Sequence, residues 1–242
     1  MTSGGEQRRL AILERLLDDG TGISTAQLCQ VCADVTGATG AGIMLMARDV
    51  PLGPLCSTDT VSAVIEQLQY DLGEGPCVDA YHQDRPVLEP DLADPDVPRW
   101  LAFTGPAVDA GARAVFGFPL QVGAVRLGAL NIYNDRPGGL TDDQYIDALV
   151  GADVAAQAVL LLQADAPPDT VAMELEANAD FQSVVHQASG MVSVQLDATL
   201  SEALIRLRAH AFGNNRSLTD VARDVVDRRL RFDTDRDEQV SE

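Results

Sequence analysis

ARAVFGFPLQVGAVRLGALNIYN, residues 112–134, holds two apolar runs joined by a short turn around Gly123. ARAVFGFPL (112–120) and VRLGALNIYN (125–134) read as paired strands. The second is apolar on both faces, which predicts a central strand covered on both sides. AGIMLMA (41–47), bounded by glycines, reads as a further strand. Helical spacing covers Ser24–Thr36, Thr60–Tyr70, Asp96–Ala110 and Thr141–Gln163. Helices at both ends around antiparallel strands predict an α+β sheet sandwiched by helices.

The pattern changes at QADAPPD (163–169), where Pro167 and Pro168 break the helix. Beyond it, three helices are expected. One runs from about Thr170 to Val194. The second opens at Thr199-Leu-Ser-Glu202, a capping-box spacing, and buries Leu200, Ala203, Leu204, Leu207 and Ala211. The third opens at Ser217, an N-cap residue, and buries Leu218, Val221, Ala222, Val225 and Val226. Three helices with one apolar stripe each predict a small bundle. The expected order is an amphipathic N-terminal helix (1–19), an α+β domain (20–163), the bundle (169–232) and a polar, disordered tail (233–242).

The net charge is −20, and all 17 basic residues are arginines. The charge is uneven. Residues 181–232 hold seven arginines against five acids, a net +2, which leaves −22 on the rest. A weakly basic segment on an acidic body points to a nucleic-acid module joined to a regulatory domain. No apolar run approaches the roughly 18–20 residues needed to span a bilayer. The four cysteines, Cys29, Cys32, Cys56 and Cys77, form no secreted framework, so they are expected as buried thiols of a reducing, cytoplasmic protein. CQVC (29–32) lies within a helix and lacks a second cysteine pair, so no metal is expected there.

LGEGPCVDAYHQDRPVLEPDL (72–92), RW (99–100) and AGARAVFGFPLQVGAVRLGALNIYNDRPGGLTDDQ (110–144) resemble a GAF domain of the bacterial signalling type. GEGPC, FPL and LGALNIY are the most specific pieces. QASG…EALIRLRAHA…RSLTDVAR (187–223) resembles the ANTAR family of RNA-binding antitermination domains. The combined order is similar to actinobacterial GAF–ANTAR transcription regulators. The resemblance implies a GAF-like antiparallel sheet flanked by helices, followed by an all-α three-helix ANTAR bundle. It further implies that the first part senses a signal, with an unidentified small molecule as candidate ligand. The second part would bind paired stem-loops in nascent RNA as a homodimer and prevent termination. Where the family carries a lysine between the alanine and glycine of its motif, this chain has Ser189. No cofactor, metal, catalytic residue or membrane partner is expected. The GAF-type cyclic-nucleotide signature needs a lysine, which the chain lacks.

The expected RNA-binding residues are His186, Ser189, Gly190, Arg206, Arg208, His210, Asn214, Arg216 and Arg223. Arginine forks bind phosphate bidentately, and turn asparagines reach unstacked bases. In VVHQASGMVSV (184–194), the stripe Phe181, Val184, Val185, Ala188, Met191 and Val192 faces the bundle. Gly190 then lies opposite, on a low strip with His186 and Ser193 that permits close backbone approach, and Ser189 flanks it. Arg228, Arg229 and Arg231 fall in the last turn of the third helix, where cations complement the dipole. Two alternatives accompany this reading. One is a protein-interaction module without RNA binding. The other is a thiol enzyme of the methionine sulfoxide reductase kind, centred on Cys77.

Overall fold

Eleven elements build the first unit in the computed structural model, which describes residues 3–17, 24–47, 50–165 and 170–232. They are α1 (Ser3–Leu17), α2 (Thr25–Thr36), β1 (Gly40–Ala47), β2 (Val50–Ser57), α3 (Thr60–Leu72), α4 (Pro76–Gln83), β3 (Val87–Glu89), α5 (Thr104–Ala110), β4 (Ala114–Val122), β5 (Val125–Asn134) and α6 (Asp142–Asp165). The sheet is antiparallel, in the order β2-β1-β5-β4-β3. β5 is central, as its two apolar faces predict. α2 and α6 pack on one side of the sheet, with α1 against them; α3 and α4 pack on the other side, with α5 on α3. The chain divides into this unit, Met1–Val171, and a second, Ala172–Glu242.

Local chemistry sets the helix ends. The Ser24 hydroxyl accepts from the Gln27 amide at 3.2 Å and starts α2. Asp59 and Ser62 satisfy each other's backbone amides at the start of α3. The helix expected over 96–110 is only α5, because Pro98 interrupts its first half and two amides there bond to a side chain instead. The Glu74 carboxylate accepts from Ala102 N–H and Phe103 N–H at 2.7 and 2.9 Å.

One strand lies outside the expected elements, and one expectation is corrected. β2 is a strand that carries Pro51 and Pro54. It is an edge strand, the place where a missing N–H is tolerated. Cys56 on β2 is joined to Cys29 on α2 by a disulfide with Cα atoms 6.1 Å apart, so these two are not thiols. Ile43 pairs with Cys56, which sets Cys56 on the face that carries α2. Cys32 and Cys77 are free and buried. α6 also has the length and apolar composition of a membrane span between Asp142 and Leu162. It packs on α1, α2, β4 and β5 and buries Ala148, Ala152, Ala155, Ala156 and Val159, so it serves as a core helix here.

The second unit holds α7 (Thr170–Leu196), α8 (Leu200–Gly213) and α9 (Leu218–Val226). Its core is Val185, Ala188, Val192, Ala203, Leu204, Leu207, Ala211, Leu218, Val221, Ala222 and Val225. Leu200 is exposed and Val226 only partly buried. The capping box at α8 forms. The Glu202 amide donates to Thr199 Oγ1 at 3.2 Å, and the Thr199 amide donates to Glu202 Oε2 at 2.8 Å. Thr199→Ala is expected to cost about 1 kcal/mol, read as a lowered urea midpoint; an unchanged midpoint would dismiss the cap as a stabilising feature. The linker residues 166–169 and the tail 233–242 lie outside the described residues.

Candidate functional site

Asn131 is the one polar side chain in the middle of an otherwise apolar β5 segment, and it is buried. Its neighbours across the sheet are Gly42 on β1 and Gly117 on β4. Both glycines let the helical layer reach the sheet. A Cβ at Gly42 would lie 2.6 Å from Glu66 Oε1, and one at Gly117 would lie 2.4 Å from the Pro76 carbonyl oxygen. α3 thereby brings Glu66 and Gln69 down beside Asn131, and α4 brings Cys77. The Gln69 carbonyl accepts from the Cys77 amide at 2.7 Å, which leaves its NH2 facing inward. GEGPC thus bends the chain so that the start of α4 lies on α3. Gly75, with φ +135°, is the residue that permits the bend.

This nest is short of partners. Among the described residues, Glu66 Oε1 and Oε2, Gln69 Nε2 and Asn131 Oδ1 are buried without a hydrogen bond. Orphaned buried polar atoms are costly and mark functional positions. Burial pushes the Glu66 carboxyl up to about 8; Asn131 pulls it partly back, from a geometry short of a hydrogen bond. Burial, and then the Glu66 charge, push the Cys77 thiol well up. A thiol in that state is a poor nucleophile. Cys77 therefore lacks the electropositive, accessible setting of a catalytic cysteine. Among the described residues, no group of three or more His, Cys, Asp or Glu is placed to hold a metal ion.

The second unit places its expected site residues unevenly. Gly190 opens outward, with nothing within 4 Å of where its Cβ would be. His186 lies at the surface, its ring desolvated enough to hold the imidazole below its ordinary value. Ser189 is a correction. It is buried, and its hydroxyl donates to the Val185 carbonyl at 2.8 Å. At 3.6 residues per turn it stands about 40° from Val185, inside the core stripe rather than beside the open strip. Arg206 is exposed and Arg208 half-buried. They stand about 160° apart around α8, so they serve different faces. The His210 ring packs edge-on against Phe232 at 5.4 Å. Asn214 caps α8, its side-chain amide donating to the His210 carbonyl at 2.8 Å.

Acids already hold some of the cations. Arg216 donates to Asp224 at 2.6 Å, Arg229 donates to the other oxygen of Asp224 at 2.7 Å, and Arg223 lies 3.5 Å from Asp220. Arg216, and then Arg229, hold the Asp224 carboxyl below its ordinary value. α9 ends at Val226, so Arg228, Arg229 and Arg231 lie past the helix rather than in its last turn. Arg228 adopts φ +61° there.

The sequence reading did not single out Glu66, Gln69 and Asn131, although a signal existed. On α3, Ser62, Ile65, Glu66, Gln69 and Tyr70 share one helical stripe, so two long polar side chains fall where burial is expected. Asn131 likewise interrupts an apolar strand.

A five-stranded antiparallel sheet with helices on both faces, and a buried polar nest beneath one of them, makes an α+β module. The chain belongs to the GAF domain family: the family model matches residues 12–159, more than half of its length. Solved structures similar to it include the GAF domain of an Acinetobacter phosphoenolpyruvate-protein phosphotransferase, with 12% identity and TM-score 0.47 over 70% of this chain and 100% of that one. Another is the GAF domain of the Coxiella burnetii phosphoenolpyruvate-protein phosphotransferase, with 13% identity and TM-score 0.45 over 65% and 96%. A third is the type II free methionine-R-sulfoxide reductase of Thermoplasma acidophilum, with 16% identity and TM-score 0.43 over 64% and 94%. No curated protein matches the chain.

Proposed function

We propose that this GAF protein is a cytoplasmic, non-enzymatic transcription regulator whose three-helix unit is an ANTAR domain. In this reading, the unit binds paired stem-loops in nascent RNA as a homodimer and prevents termination. The nest around Glu66 is the candidate seat of a small-molecule signal. The observation that carries the reading is the second unit, three helices that follow the GAF fold and whose residues 181–232 carry seven arginines against five acids. The open backbone at Gly190 supports it, because a nucleic-acid strand needs close approach there. Arginine–phosphate contacts release counterions, so binding should fall with rising salt.

The test is a gel shift of the full chain with a tandem stem-loop RNA. Arg206→Ala with Arg216→Ala is expected to weaken binding at least tenfold and to reduce the salt slope by about 2, one per lost phosphate contact. Equal binding by the double variant would sink the assignment of those two arginines. A second reading, a protein-interaction module, is favoured by Ile205 and Phe212, which lie exposed on one face of α8 at i, i+7 spacing. RNA-free capture of a defined protein partner through that face would favour it.

A further inference from the structure

The Cys29–Cys56 disulfide joins two elements that the rest of the fold holds unequally. β2 pairs with β1 alone, carries two prolines, and its register slips twice, between Ile43/Met44 and between Leu45/Met46. β2 also packs on α3 and α2, but as an edge strand it leaves one row of backbone groups outside the ladder. α2 is held firmly. It packs on α1, α6 and β1, and the Gln144 side-chain amide of α6 donates to the Thr36 carbonyl at its end at 2.9 Å. Among the described residues this disulfide is the covalent tie between the edge strand and the helical layer.

The two sulfurs also differ in access. Cys29 is fully buried, whereas Cys56 is partly exposed on the edge strand. Cys32, one turn along α2, stays a thiol. It is sealed against α6, with its sulfur 3.6 Å from where a Cβ of Gly151 would sit. Burial pushes it up to about 12, so it does not compete for the disulfide. In a reducing compartment a disulfide is ordinarily transient and redox-sensing.

We propose that Cys29–Cys56 is a reversible thiol–disulfide site, the redox input of the sensory domain, with low-molecular-weight thiols and their disulfides as reactants. The inference rests on the sensory, cytoplasmic reading of the chain. A low-molecular-weight thiolate attacks the Cys56 sulfur. The S–S bond breaks, and its electron pair leaves on Cys29, which takes a proton. A second thiolate attacks the outer sulfur of the mixed disulfide, Cys56 leaves and is protonated, and the external disulfide departs. Two external thiols are oxidised as one protein disulfide is reduced; the reverse sequence closes it. Reduction removes the covalent link between β2 and α2, leaving only their packing.

The experiment uses the full chain, oxidised and dithiothreitol-reduced, with alkylation to count thiols and amide hydrogen exchange followed by mass spectrometry. Reduction without denaturant, followed by acid quench and alkylation in denaturant, is expected to raise the thiol count from two to four. Exchange of the 50–57 amides should quicken at least tenfold, with a smaller gain over 25–36 and none in the β4–β5 hairpin. Cys56→Ser should exchange like the reduced chain and ignore dithiothreitol. A thiol count that stays at two in millimolar dithiothreitol overturns the proposal, and so does β2 exchange that is equal in both forms. Gel shifts on both redox forms separate this from the RNA reading. A responsive β2 with no RNA bound by either form sustains the redox site and removes the RNA role. RNA bound with a silent β2 does the opposite.

Discussion

Raising the pH from about 4.5 to about 8 is expected to cost about 5 kcal/mol of stability through one side chain, Glu66. Glu66→Gln is expected to remove that slope. Below its unfolded value the carboxyl is protonated in both states, and the contribution is fully present. Between the two values the unfolded chain releases the proton while burial makes the folded chain keep it. Stability then falls by about 1.4 kcal/mol per pH unit. Above about 8 both states are ionised and the loss is complete. Glutamine keeps the shape and hydrogen-bonding capacity without the charge. Urea unfolding of both proteins at pH 5 and pH 8 checks this: the variant's advantage should widen by several-fold more than the fitting error towards pH 8. Parallel stabilities would show that Glu66 is not held in its neutral form. The difference between the two proteins is the quantity to read, because the many other carboxylates titrate equally in both.

Gly117→Ala is expected to cost about 3 kcal/mol and to lower Tm by about 10 °C. The added methyl would stand 2.4 Å from the Pro76 carbonyl oxygen and 2.6 Å from its carbon. Both are backbone atoms at the start of α4, so no rotamer change relieves the contact. α4 must lift, and with it Cys77 and its bond to Gln69. Gly139→Ala is the control, since its methyl meets nothing within 4 Å. Thermal unfolding of the two variants that gave equal Tm values would show that α4 is not seated on β4 as described.

Much of the sheet was legible because β1, β4 and β5 are apolar runs of ordinary strand length, and their pattern survives in any context. β2 was not, because Pro51 and Pro54 normally argue against a strand, and only its edge position accommodates them. The start of α5 was misread because Glu74, a residue distant in sequence, captures the amides of Ala102 and Phe103. The disulfide shared β2's fate: without that strand nothing in the sequence brings Cys56 near Cys29. In the bundle, caps and stripes were readable from Thr199 and Ser217 onward. Ser189 misled because it stands where the related family carries a lysine and flanks the Gly190 strip, while its hydroxyl satisfies itself on the preceding turn and so accepts burial. Asp224's hold on two arginines joins residues from a turn, a helix and a helix end, which no periodicity reports.

The N-terminal helix bears on where this domain can be cut. Arg8 reaches Asp143 and Asp147 of α6, both at 2.5 Å, and Arg9 bridges Asp153 and Gln157. Ile12 and Leu16 are buried beneath them. The family match starts at residue 12, halfway along this helix. A recombinant fragment begun at that point would keep both apolar anchors and lose both arginines. It would leave Asp143, Asp147 and Asp153 as a run of uncompensated carboxylates on a core helix. The family boundary and the folding boundary of this chain therefore differ, and the second lies at least one full helical turn earlier.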